Sequence, residues 1–126
     1  MKLIITVFLV FCVSMAFGKE HMLKESSYKK IQQSIGKGKP YFLEVGSDTC
    51  HSCKIMGSML YKIVQENPVY NIHFINVKKE REAASILNIM MIPTQIIYDK
   101  EGKEVYRHIG LLSEDELVQL FIRYQF

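Results

Sequence analysis

Between Ser47 and Lys54 the chain reads SDTCHSCK, which sets Cys50 and Cys53 three positions apart and follows the second with a lysine. Two sulfurs at this spacing suit three kinds of chemistry. The first, as a thiolate, can attack a disulfide and be resolved by the second; the pair can supply two metal ligands; or it can close an inert staple. A staple here closes a very small loop and so removes little entropy from the unfolded chain. A structural zinc site ordinarily takes four ligands, and His21, His51, His73 and His108 lack the spacing that would complete one. Redox exchange is the favoured reading, with metal binding and an inert disulfide as its competitors.

What decides reactivity is the element on which the pair sits. Tyr41 to Val45 is a short apolar run bounded by Pro40 and Gly46, the pattern of a strand buried on both faces. From about Cys50 to Gln65, Ile55, Met56, Met59, Leu60, Ile63 and Val64 recur at helical spacing, and Asn67-Pro68 closes the segment. Cys50 therefore falls where a strand's exit loop becomes a helix. There the free N–H groups and the helix dipole favour a thiolate. Lys54, and His51 when protonated, add positive charge beside it. Cys53, one turn on and more enclosed, is placed to resolve a mixed disulfide formed at Cys50.

The remaining elements follow from the same patterns. His21 to Ile35 reads as an amphipathic helix ended by Gly36-Lys37-Gly38. Asn71 to Val77 reads as a strand and Lys79 to Leu87 as a short helix. Thr94 to Tyr98 and Lys103 to Ile109 read as strands joined by a turn at Asp99-Lys100-Glu101-Gly102. Ser113 with Glu116 three residues on forms a capping box that opens a last helix, with Leu117, Leu120, Phe121 and Tyr124 as its apolar stripe. Strands joined through helices are expected to run parallel, with the hairpin adding an antiparallel edge strand. The fold class is α/β, a central mixed sheet of about four strands flanked by helices on both faces.

Composition bounds the rest. The 126 residues suit one domain, and a net charge of +3 with no basic run interleaved with aromatics speaks against nucleic acid as a partner. Met1-Lys2, the apolar run Leu3 to Phe17, and Ala16-Phe17-Gly18 have the layout of a cleaved secretory signal over residues 1–18, leaving a domain over 19–126. The alternatives are an uncleaved anchor or lipid attachment at Cys12. Cleavage leaves Cys50 and Cys53 as the only thiols, in a periplasmic or extracellular compartment where disulfides form, with no stable membrane insertion.

Three separated stretches, "YFLEVGSDTCHSCK", "MIPT" and "YDKEGKEVYRHIGLLSEDEL", resemble the thioredoxin family in the right order. The resemblance covers nearly all of the chain after residue 18. It implies a thioredoxin fold, Cys50 as attacking and Cys53 as resolving cysteine of a redox-active disulfide, and Pro93 as a cis-proline. Ile92 beside it, Gly110 and Thr49 would border an extended substrate segment. Glu44 matches a buried acid that takes the proton of the resolving thiol. Thr49 stands where most thioredoxins carry tryptophan, and His51-Ser52 replaces their glycine-proline pair; with Lys54 these tune the thiolate. Met90 and Met91 read as an adaptable rim, as soft copper ligands, or as ordinary packing; for at least one of the two, packing is the expectation.

The implied activity is that of a periplasmic, monomeric protein-disulfide reductase without bound metal or organic cofactor. Its partners would be protein disulfides and a membrane-bound electron donor. The competing functions are copper binding or delivery through the same cysteines, and a non-catalytic peptide-binding adaptor.

Overall fold

The computed structural model describes residues 21–126. The signal-like segment 1–18 and Cys12 lie outside the described residues. The elements run α1 (Tyr28–Ser34), β1 (Tyr41–Gly46), α2 (His51–Glu66), β2 (Ile72–Asn76), α3 (Arg81–Ile86), β3 (Thr94–Tyr98), β4 (Glu104–Ile109) and α4 (Glu114–Arg123). They form one four-stranded sheet of order β2-β1-β3-β4.

Alternation along β1 divides the core in two. Tyr41, Leu43 and Val45 face one side, where they pack with Ile31 of α1 and with Ala83 and Leu87 at α3. Phe42 faces the other, packing with Met56, Leu60 and Ile63 of α2 and Leu117, Leu120 and Phe121 of α4. Every residue of β1 is buried, as a strand covered by helices on both faces must be. The hairpin and the last helix also follow expectation. Gly102 adopts φ +93° in the turn, and Ser113 and Glu116 exchange both capping-box hydrogen bonds at the head of α4.

Two expectations need correction. β1 and β2 are parallel, but β3 runs antiparallel to β1, with Val45 opposite Thr94 and Tyr41 opposite Tyr98. The six residues of α3 span only about 9 Å at the usual helical rise, too little to carry the chain back along the sheet. The chain therefore re-enters from the same end at which β2 left it. The first helix is also shorter than its apolar pattern suggests. Ser27 caps it by accepting a hydrogen bond from the Lys30 N–H at 3.3 Å.

Ahead of that cap, residues 21–27 lie as an extended arm along α2 and the outer edge of β2. His21 stacks on Tyr61. The Leu23 N–H donates to the Gly57 carbonyl at 3.4 Å, and the Ser26 N–H to the Phe74 carbonyl at 2.8 Å, beside a bridge between Glu25 and Phe74. Met22 occupies the space that a side chain on Gly57 would need, 2.5 Å from the Cβ position.

Candidate active site: the Cys50–Cys53 pair

β1 delivers the chain to a loop, Ser47 to Thr49, and α2 begins directly after Cys50. Cys50 is the N-cap, and its sulfur accepts the Cys53 N–H at 3.3 Å. The sulfur thus sits among the free N–H groups of a 16-residue helix, the positive end of its dipole. Cys50 is half-buried, while Cys53 is 0% exposed. The two are joined as a disulfide with Cα atoms 5.1 Å apart. The first cysteine thus keeps partial exposure, while the second has none.

Room for the inner sulfur comes from Gly46. A Cβ there would lie 2.9 Å from Cys53 Sγ and 3.0 Å from Cys53 Cβ. Gly46→Ala is therefore expected to push the Cys53 side chain aside. The cost is about 1–3 kcal/mol in stability, with a measurable change in the dithiol–disulfide equilibrium against glutathione. An unchanged equilibrium would show that the sulfur has freedom to spare.

Glu44 lies two residues before Gly46 on the same face of β1 and is 0% exposed. Burial pushes its carboxyl well above the ordinary carboxylate range, while a hydrogen bond from Gln95 pulls the other way. Gln95 Nε2 lies 3.2 Å from Glu44 Oε2 and 3.5 Å from Oε1. Gln95, itself 0% exposed, places its Oε1 2.8 Å from His108 Nδ1. Gln95 and His108 are not among the residues expected from sequence at this site; the available signal is an amide inside TQIIY, a strand buried at every position.

The loop carrying the pair is fastened from below. Asn76, 1% exposed at the end of β2, donates through Nδ2 to Asp48 Oδ1 at 3.0 Å and to Glu25 Oε1 at 2.9 Å. Its Oδ1 accepts the Lys78 N–H at 3.0 Å. Asp48 is held below the ordinary carboxylate range chiefly by that Asn76 hydrogen bond. Lys79 pairs with Glu25 at 2.9 Å, and Lys78 hydrogen-bonds the Thr49 hydroxyl. The charged run from Lys78 to Glu82 is thus partly engaged. Glu80 also joins in, accepting the Tyr28 N–H at 3.2 Å.

In the loop ahead of β3, the Ile92-Pro93 bond is cis. The Pro93 carbonyl accepts the Gly110 N–H at 2.9 Å, tying together the loops before β3 and after β4. Gly110 has φ +104°, a conformation L side chains rarely adopt, and nothing lies within 4 Å of where its Cβ would stand. Thr49, His51 and Lys54 are exposed, and Ser52 and Ile92 half-buried. Packing does not hold for either methionine of the preceding loop. Met90 is 87% and Met91 64% exposed, in the loop between the end of α3 at Ile86 and the start of β3 at Thr94.

A buried sulfur joined to a half-buried helix-capping one, a cis-proline in the loop before β3, and a mixed sheet between helix pairs define a thioredoxin-fold thiol–disulfide site. The thioredoxin-like domain family matches residues 28–125, and the chain belongs to that family. Similar proteins include the thioredoxin of Chlamydia trachomatis, 28% identical over 104 residues, which are 82% of this chain and 100% of that one. The thioredoxin of Chlamydia muridarum is 29% identical over 104 residues, again 82% of this chain and all of that one. Among solved structures, Fasciola hepatica thioredoxin superposes with a TM-score of 0.65 at 25% identity, covering 76% of this chain and 88% of its own. A mutant thioredoxin of Halobacterium salinarum shares the fold, with a TM-score of 0.72 at 18% identity over 82% of this chain and 90% of its own. Family membership and the Cys50-x-x-Cys53 pair together support thiol–disulfide oxidoreductase chemistry.

Proposed function

We propose that this chain is an exported, monomeric protein-disulfide reductase. The observation that carries the reading is the asymmetry of the pair: an approachable Cys50 at a helix N-terminus over a sealed Cys53. In the forward cycle the Cys50 thiolate attacks one sulfur of a client disulfide, forming a mixed disulfide and expelling the other client sulfur as a thiolate. Glu44, as carboxylate, then takes the Cys53 proton, directly or through one water. The Cys53 thiolate attacks Cys50 Sγ and expels the second client thiolate. The client gains two electrons, and this chain is left with the Cys50–Cys53 disulfide. A membrane-bound dithiol donor returns the pair to the reduced state by the same exchange.

Client backbone is proposed to lie along Thr49, Ile92-Pro93 and Gly110, where the absent side chain of Gly110 leaves room. Met90 and Met91 supply an adaptable apolar rim to that path. His51, Ser52 and Lys54 border the reactive sulfur and set its thiolate character. The periplasmic or extracellular location rests on the pattern of residues 1–18. Among the described residues no helix is long and apolar enough to cross a membrane.

The test is Cys53→Ala in the full chain, which removes the resolving sulfur and leaves Cys50. Mixed disulfides are expected to accumulate through Cys50 and to identify clients and donor together by mass spectrometry of non-reduced complexes. A variant that captures nothing, while the parent binds Cu(I) tightly and turns over no disulfide, would sink the reductase reading in favour of copper handling.

A further inference from the structure

Glu44, Gln95 and His108 are register partners on three adjacent strands, Glu44 opposite Gln95 across β1–β3 and Gln95 opposite His108 across β3–β4. All three stand on the face that carries α2 and α4. Their side chains join in one line from the interior to the half-buried His108. We propose that His108 is a positioning residue for disulfide exchange: through Gln95 it keeps the basic form of Glu44 available to the resolving cysteine. This inference rests on the proton-accepting role given to Glu44 above.

A carboxylate only accepts, so Gln95 must turn its NH2 toward Glu44, which leaves its Oε1 to find a donor elsewhere. His108 Nδ1–H is that donor, 2.8 Å away, and the tautomer follows from the network. Without it, nothing fixes the amide. Gln95 can then turn over and present its oxygen to Glu44, an arrangement that suits a protonated acid donating its O–H. A protonated Glu44 cannot take the Cys53 proton.

Phe74 is the register partner of Glu44 on β2, and Gln95 is the group that favours its charged form. The titratable group facing His108 is Glu116 of α4. Its carboxyl is held low mainly by hydrogen bonds from Ser113, with His108 adding attraction.

The experiment compares His108→Leu with His108→Lys, which restores a donor, in the full reduced protein. The first readout is the titration of the Glu44 carboxyl followed by its carbon chemical shift, which needs no turnover. His108→Leu is expected to raise the proton affinity of Glu44 roughly tenfold, as loss of a hydrogen bond supporting a charged group would. His108→Lys is expected to restore most of it. The second readout is the pH profile of protein-disulfide reduction, whose alkaline shift in His108→Leu should vanish in a Glu44→Gln background. A Glu44 titration unmoved by His108→Leu, or a rate loss that persists without Glu44, would overturn the inference. If the carboxyl shifts as expected while the parent reduces no disulfide, the positioning line stands and the reductase reading falls.

Discussion

Cys50→Ser is expected to cut protein-disulfide reduction by roughly a thousandfold or more, the scale on which removal of a covalent nucleophile acts. Serine retains the cap, since its oxygen can accept the Cys53 N–H that the sulfur accepts at 3.3 Å. It loses the reaction, because a hydroxyl ionises far less readily than a thiol and is a much poorer nucleophile toward sulfur. Stability of the variant, measured against the reduced parent by urea unfolding, should stay within about 0.5 kcal/mol. That pairing of outcomes is the discriminating result. Residual turnover within tenfold of the parent would mean that Cys53 attacks clients itself, which its burial forbids.

Glu44→Gln is expected to have two effects of opposite sign. It keeps an oxygen to accept from Gln95 but cannot take a proton, so resolution of the mixed disulfide should slow by about a hundredfold or more. That loss is read as accumulation of the mixed-disulfide species in rapid-quench experiments. At the same time the variant should gain stability at neutral and alkaline pH. Burial raises the Glu44 proton affinity in the folded state above its unfolded value. Between the two, the unfolded chain releases a proton that the folded chain keeps, so stability is complete below about pH 4.5 and falls as pH rises through the folded value. Each tenfold of that difference is worth about 1.4 kcal/mol. Glu44→Gln removes this loss, and its unfolding free energy should be flatter from pH 5 to 9 than the parent's. Identical slopes would mean that Glu44 is solvated in the folded protein.

Much of this architecture is written in local patterns. The Cys50-x-x-Cys53 spacing ahead of an apolar helical stripe, the doubly buried run Tyr41 to Val45, the Ser113–Glu116 box and the Gly102 turn each depend on neighbours a few residues apart, and each appears as expected. The direction of β3 does not. It depends on whether α3 is long enough to return the chain, and an apolar pattern from Lys79 to Leu87 does not reveal that its helix begins only at Arg81.

The start of α1 is hidden for a related reason. Leu23 has helical spacing to later apolar residues, yet its N–H is satisfied by Gly57, a partner distant in sequence. The polar line behind the site is less legible still. Glu44 is visible through its place before Cys50, but Gln95 and His108 become meaningful only once strand register sets them side by side. Met90 and Met91 differ again, since their exposure depends on tertiary surroundings that their local sequence does not carry.

The arm ahead of α1 ties two properties of the molecule together. Its residues Glu25 and Ser26 lie along the outer margin of β2, one of the two strands left open by an unclosed sheet. The other margin, β4, is shielded differently, by a Glu104–Arg107 pair at 2.6 Å that sets charge along it. Because the same Glu25 also reaches Asn76 and, through it, Asp48, loosening the arm would do two things at once: slacken the segment that presents Cys50, and bare a strip of backbone to which another chain's strand can add. At the β2 margin, Glu25 therefore links the covering of an open strand to the loop that leads into Cys50.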